Sequence, residues 1–430
     1  MTFETNFCPS PWLHMRIKSS GEMRYCRWTQ RHKDNLSANI ADMDPETFFK
    51  EHMAPIRETM LQGEDYPACA DCRIMEQHGK VSGRQKQMIK VGIDPDNFEQ
   101  SFGTSTYVDK FKQSANNNGK TDILPVDWQI DLGSLCNSAC VFCTPTNSSR
   151  LRAELHKLGL VDKARVTEWT DDPVLVKKFA DMLAKTPRLH YLHFIGGETM
   201  MNKAFETILR ALVSENIHTK CSIGFTTNLT IWDEGINSLL CKFKDVHAGL
   251  SIETMSELND YLRWPSKIEN VKTILDKYVE LGKENNWHVT VRNAPTVFSI
   301  SDMVPLYQHC VDNEIDIESC NFMDKPEFMR PSVLPGPLRK EAKEKLLTFV
   351  SQYGGASRVR NYNVRDRSDT LNVLMTDAQS WINYLDNAQD ESYRATDLVH
   401  YITKLESSRH NNILEYLPEY ENFLRSAGYR

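Results

Sequence analysis

The sequence predicts an α/β fold: a partial (β/α)6 barrel over residues 122–325, an N-terminal cysteine-rich module over 1–85 with a linker at 86–121, and a mostly helical C-terminal extension over 326–430. Three observations lead there. After residue 122, short apolar runs alternate with longer helical stretches, the pattern of a parallel sheet with helices on its outer face. Seven of the eleven cysteines fall into two groups, one ahead of that region and one inside it. The last hundred residues are rich in aromatics and helical spacing and carry no recognisable chemical motif.

The N-terminal group is Cys8, Cys26, Cys69 and Cys72. Gly21–Cys26 reads as a hairpin strand that ends on a cysteine. A helix is expected from Asp44 to Gly63, with Asp44 as its cap, Pro45 in its first turn and Gly63 at its stop. Phe48, Phe49, Met53, Ile56 and Met60 give it one apolar face, and Pro55 should kink or divide it. The helix would fold the late Cys69-Ala-Asp-Cys72 back onto the earlier cysteines. Beyond it the chain turns polar, and Ser114–Lys120 is the best linker candidate.

The six expected strands are 126–132, 189–195, 222–228, 246–252, 288–294 and a weaker run at 319–323. Helices are expected between them, notably over 171–185, 202–215 and 268–282. Six units make an incomplete barrel. His190 and His193 are read as facing one side of the second strand, where a metal pair is conceivable and packing histidines are commoner.

Directly after the first strand the chain reads Leu132-Gly-Ser-Leu-Cys136-Asn-Ser-Ala-Cys140-Val-Phe-Cys143. This places three thiols on a loop at a strand's C-terminal end, the face on which barrel proteins build sites. Three thiolates so close can converge on three irons of a [4Fe–4S] cluster, leaving a fourth iron open to a small molecule. A zinc site would want a fourth ligand, and no His or Cys follows within ten residues. The four N-terminal cysteines could saturate a second [4Fe–4S] cluster or hold a structural zinc, and their spacing does not decide between the two.

The Cys136–Cys143 segment resembles the radical S-adenosylmethionine (SAM) superfamily, with Phe142 in the aromatic place before the last cysteine. That resemblance implies a reduced cluster that splits SAM into methionine and a 5′-deoxyadenosyl radical, which takes a hydrogen atom from substrate. Later elements fit in order. Gly196-Gly197-Glu198 follows the second strand, Thr227-Asn228 the third, and Ser251-Ile-Glu253 with Tyr261-Leu-Arg263 the fourth. By resemblance Phe142, Gly196, Gly197, Glu198, Asn228, Ser251, Glu253 and Arg263 would contact SAM, and a guanidinium suits its carboxylate. The N-terminal cysteines resemble the auxiliary-cluster modules called twitch or SPASM domains, here placed ahead of the barrel, which implies one auxiliary [4Fe–4S] cluster. Arg24, Arg27, Arg31 and Lys33 could offset its charge.

The resemblance implies an oxidoreductase-like enzyme acting on a peptide or small molecule, served by an external electron donor such as a flavodoxin or ferredoxin. Two other readings remain. One is a redox-neutral epimerase, for which Cys320 would be a hydrogen-donor candidate; the other is a non-catalytic iron–sulfur or zinc scaffold. Net charge is −7 with basic and acidic residues interspersed, which gives no support to nucleic-acid binding. No signal-peptide pattern or membrane span is read, so a cytoplasmic protein with reduced thiols is expected.

Overall fold

The computed structural model describes residues 7–26, 36–77, 81–319, 323, 325–353 and 370–430. Its centre is one nine-stranded sheet. The strands are β1 (His14–Ile17), β2 (Glu22–Arg24), β3 (Ala38–Asn39), β4 (Asp127–Asp131), β5 (Tyr191–Ile195), β6 (Ser222–Thr227), β7 (Asp245–Ser251), β8 (His288–Asn293) and β9 (Asp316–Ser319). Their order is β3-β2-β1-β4-β5-β6-β7-β8-β9. Strands β4 to β9 are all parallel, each beside its successor. Such connections need crossovers, and helices Pro173–Ala184, Lys203–Ser214, Glu234–Leu240, Ile268–Asn285 and Val304–Asn313 supply them. This is the expected (β/α)6 arrangement.

Alternation along each strand sends apolar side chains outward into those helices. Trp128 of β4 meets Phe179 at 5.4 Å between ring centroids, and Phe194 of β5 meets Phe205 at 4.9 Å. These outward residues are buried and belong to the hydrophobic core. Asp316–Ser319 is the described segment that pairs with β8, and most of the run expected at 319–323 lies outside the described residues. His190 and His193 do not share a face: three residues apart, they fall on opposite sides of an alternating strand. His190 is exposed beside Asp127, 3.5 Å from its carboxylate, whereas His193 is buried.

The N-terminal segment extends the barrel sheet. β1 lies parallel to β4, with His14 opposite Asp127, and β2 returns antiparallel, with Arg16 opposite Arg24. The expected hairpin is therefore present, and the short β3 pairs beyond it as the sheet's edge. The helix expected over 44–63 is broken into Pro45–Thr47, a wide turn at Phe48–His52, and Ala54–Leu61. Asp44 does cap it, accepting from Thr47 N–H at 2.9 Å. Pro55 falls in the first turn of the last piece, where its missing N–H costs nothing.

Residues 86–121 are built into the fold, unlike the polar linker expected there. Helices Gly83–Lys90, Phe98–Phe102 and Val108–Ala115 occupy much of the stretch. Phe98, Phe102 and Phe111 pack on Phe7 with centroids 5.1–5.8 Å apart. Arg57, fully buried, donates to Pro11 O at 2.8 Å and Gly119 O at 3.1 Å, tying three distant segments together. Polar composition concealed these anchors, each a single aromatic or glycine among solvated neighbours.

Beyond β9 the described chain is helical, with Gly336–Gln352, Thr370–Asn387 and Ala395–Arg409 as its long elements. No helix among the described residues is long and apolar enough to cross a membrane.

Candidate functional site

The loop after β4 is held by its backbone. Gly197 N–H donates to Gly133 O and Glu198 N–H to Leu135 O, both at 2.7 Å, so the Gly-Gly-Glu turn after β5 continues the sheet ladder onto the loop. The approach is so close that a Cβ on Gly197 would lie 2.3 Å from Leu135 O, and one on Gly196 2.6 Å from Gly133 O. On its far side Ala139 N–H donates to Trp264 O at 2.7 Å and Val141 N–H to Leu262 O at 2.9 Å. The loop is thus clamped between the ends of β5 and the segment after β7.

Cys136, Cys140 and Cys143 are carried on that clamped loop, Cys140 buried and the others half-buried. Burial raises all three thiols, Cys136 to about 12, and they raise one another: Cys140 acts on Cys136, and both act on Cys143. Such crowding is unfavourable for bare thiolates and suits a positively charged partner. Among the described residues no three His, Cys, Asp or Glu side chains converge on one point as around a single ion. Ligands that each bind a different iron of a cluster need no common centre.

Asn228, buried at the end of β6, points its amide at Cys136 Sγ (3.7 Å), Asn137 Oδ1 (2.9 Å) and Ser138 Oγ (3.1 Å). Glu198 is 1% exposed and its carboxylate accepts from Asn228 N–H at 2.6 Å, Thr227 Oγ1 at 2.8 Å and Met200 N–H at 3.1 Å. It therefore ties the ends of β5 and β6 together and sets Asn228 against the loop. Glu253, also buried, accepts from Arg263 Nη1 at 2.8 Å and Ala294 N–H at 2.7 Å. Arg263 is 6% exposed, and its Nε has no hydrogen-bond partner among the described residues. Its charge acts on all three thiols. The Phe142 ring lies 6.0 Å from the same guanidinium, and half-buried Ser251 ends β7 opposite Arg292 of β8. The resemblance-derived residues, scattered over 122 positions of sequence, thus gather at the C-terminal ends of β4 to β7.

The four N-terminal cysteines meet as well. Cys8, Cys26, Cys69 and Cys72 line one small cavity, together with Tyr25, Arg73 and Arg84. Tyr25 Oη lies 3.3 Å from Cys69 Sγ. Burial pushes Cys8 up to about 12 and Cys69 to about 11, with neighbouring thiols adding to the rise. Arg24 pairs with Glu22 and does not line the cavity, while Arg27, Arg31 and Lys33 lie outside the described residues. The cations that do line it are Arg73 and Arg84, which sequence reasoning missed; Arg84 also donates to Phe7 O, next to Cys8. A signal was available, since Arg73 follows Cys72 directly. Cys320 lies outside the described residues.

The two cysteine groups occupy opposite ends of the sheet edge. Cys8 precedes β1, and Cys26 follows β2 back towards the start of β1, level with the beginning of β4. The three-cysteine loop leaves the other end of β4.

No curated protein matches the chain in sequence. Among solved structures it is similar to Streptococcus suis SuiB bound to S-adenosylmethionine, at 15% identity and a TM-score of 0.37, covering 79% of this chain and 69% of that one. It is also similar to native anSMEcpe with bound AdoMet, at 17% identity and a TM-score of 0.38, covering 53% of this chain and 61% of that one. Likeness this loose transfers no function. The family model described as the Radical SAM superfamily matches residues 130–295, a span that begins inside β4 and ends just past β8. That family implies an enzyme with a [4Fe–4S] cluster and SAM, and the donor set after β4 fits: three crowded thiols, with a buried guanidinium beside them holding one unpaired N–H. Over residues 130–295, its β/α region, this chain is similar to the radical SAM superfamily.

Proposed function

We propose that this protein is an oxidoreductase-like radical SAM enzyme that takes a hydrogen atom from a peptide or small-molecule substrate. Cys136, Cys140 and Cys143 would hold the SAM-cleaving [4Fe–4S] cluster, and Cys8, Cys26, Cys69 and Cys72 an auxiliary one. The observation that carries the reading is the convergence of a three-thiol loop with Arg263, whose buried Nε is left for a ligand after Nη1 has bound Glu253. A buried donor without a partner is costly, and a carboxylate seated there would remove that cost.

When bound, the cluster and SAM supply a 5′-deoxyadenosyl radical. The chain's own groups do the rest. Arg263 would receive the carboxylate of SAM, with its charge balanced by Glu253. Asn228 orients Cys136, and Glu198 orients Asn228 through its backbone. Gly196 and Gly197 let the loop lie flat on β5. Phe142 and Ser251 flank the same space. The auxiliary cavity suits electron relay better than substrate ligation: its thiols lie roughly one strand length, about 13 Å or more, from the three-cysteine loop. An external flavodoxin- or ferredoxin-like donor would supply the electron. A cytoplasmic setting, where thiols stay reduced and available to clusters, fits this reading.

The test is anaerobic reconstitution followed by iron and sulfide counting, with 5′-deoxyadenosine measured after dithionite reduction. Wild type should hold about eight irons, falling to about four in Cys136/Cys140/Cys143→Ala and to about four in Cys8/Cys26/Cys69/Cys72→Ser. Only the second variant should still cleave SAM. A wild type that holds only zinc, or holds iron without ever cleaving SAM, refutes the proposal in favour of a scaffold.

A further inference from the structure

The C-terminal helix Ala395–Arg409 delivers its last residue to the underside of the three-cysteine loop. Arg409 is 7% exposed. Its Nη2 donates to Ala139 O at 2.7 Å, inside the cysteine motif, and to Glu154 Oε2 at 2.6 Å, while Nε donates to Glu154 Oε1 at 2.9 Å. Its guanidinium lies 4.9 Å from the Trp264 ring, and Trp264 O holds Ala139 N–H. Ala139 is therefore bound through both its N–H and its C=O. Arg409 Nη1 is buried and has no hydrogen-bond partner among the described residues. A buried cation with one unpaired N–H thus sits against the backbone of the three-cysteine loop.

We propose that Arg409 is a positioning residue for the three-cysteine cluster and the counter-ion that raises its reduction potential, with Glu154 behind it acting in the opposite sense. This rests on the radical SAM reading above. On reduction the cluster takes one electron from a low-potential one-electron donor, and the added negative charge is stabilised by a nearby cation and by N–H groups directed at sulfur. The helical extension thereby acts on electron entry without touching substrate.

The experiment uses full-length, anaerobically reconstituted protein and follows the cluster's one-electron midpoint by electron paramagnetic resonance, with iron content as a second readout. The Cys8/Cys26/Cys69/Cys72→Ser background removes the auxiliary signal. Arg409→Gln should shift the midpoint negative, lowering the reduced-to-oxidised ratio at the wild-type midpoint on the order of tenfold, or about 59 mV. Glu154→Gln, nearly isosteric and still able to bond Arg409, should shift it positive, and Arg409→Lys should lie between wild type and Arg409→Gln. Opposite signs are what a merely structural role would not give. If Arg409→Gln fails to fold, the sign of the Glu154→Gln shift decides alone. A folded, cluster-bearing Glu154→Gln with an unmoved or negative midpoint overturns the proposal and leaves the radical SAM reading standing. Absence of any cluster in the background protein overturns both.

Discussion

Replacing Gly197 by Ala is expected to separate the three-cysteine loop from the end of β5. The new Cβ would lie 2.3 Å from Leu135 O, 2.6 Å from Leu135 C and 2.7 Å from Ser134 C, all backbone atoms that cannot rotate away. Recovering even a 3.0 Å approach to Leu135 O requires a movement of 0.7 Å. The hydrogen bonds from Gly197 N–H to Gly133 O and from Glu198 N–H to Leu135 O, each 2.7 Å, span that same gap and would stretch with it. Two such bonds contribute about 1 kcal/mol each, and overpacking a close contact costs about 1–3 kcal/mol, so the loss is about 3–5 kcal/mol. Urea unfolding of the apoprotein measures it, and iron per chain after reconstitution should fall with it. Gly103→Ala is the control: this helix-end glycine has φ −63° and nothing within 4 Å of its Cβ position, so its midpoint should stay at wild type. If Gly197→Ala unfolds at the wild-type midpoint and keeps its iron, the loop is not held by this contact.

Two other perturbations have definite signs. Arg263→Met strands the buried Glu253 carboxylate and should destabilise the chain by about 3–5 kcal/mol by chemical denaturation; adding Glu253→Leu should recover most of that stability without recovering SAM cleavage. Asp127 is buried, which raises its carboxyl, but Lys90, His190 and His14 bring it down to about 2 from 3.8. A depressed carboxyl stabilises the fold above its unfolded value and loses that contribution as pH falls towards about 2. Acid unfolding of Asp127→Asn should therefore be flatter than wild type below about pH 4, and the variant should be less stable by about 2 kcal/mol at neutral pH.

The strands were legible because each carries its own signal. Outward-facing Trp128, Phe194 and Phe225 alternate with inward residues, and glycines and caps mark the ends, so five of the six barrel strands start or stop within two residues of expectation. The site was legible for a related reason: parallel strands bring their C-terminal ends together, so motifs that follow successive strands must meet. The segment 86–121 failed because its hold on the fold is a few isolated residues. Phe98, Phe102 and Phe111 are too sparse for a helical period, and Gly119 matters through its backbone, which packs against Ala54 O and accepts from Arg57.

What supports the cysteine loop was beyond the reach of any local pattern. Glu154 and Arg409 stand 255 positions apart, and each reads by itself as an ordinary charged residue near the end of a helix. Tyr261 and Glu406 are separated by 145 positions and meet at 2.9 Å, and Tyr429 closes on the same carboxylate at 2.7 Å. These contacts bind the loop, the Tyr-Leu-Arg segment and the C-terminal helix into one buried polar network. Within it, removing one member leaves its partner's charge or lone pairs uncompensated, so neither end can change without cost to the other. A motif can announce the atoms that touch a cofactor. The groups that keep those atoms in place, and that set the charge around them, are chosen by packing between distant segments, and here they arrive on a helix that carries no motif.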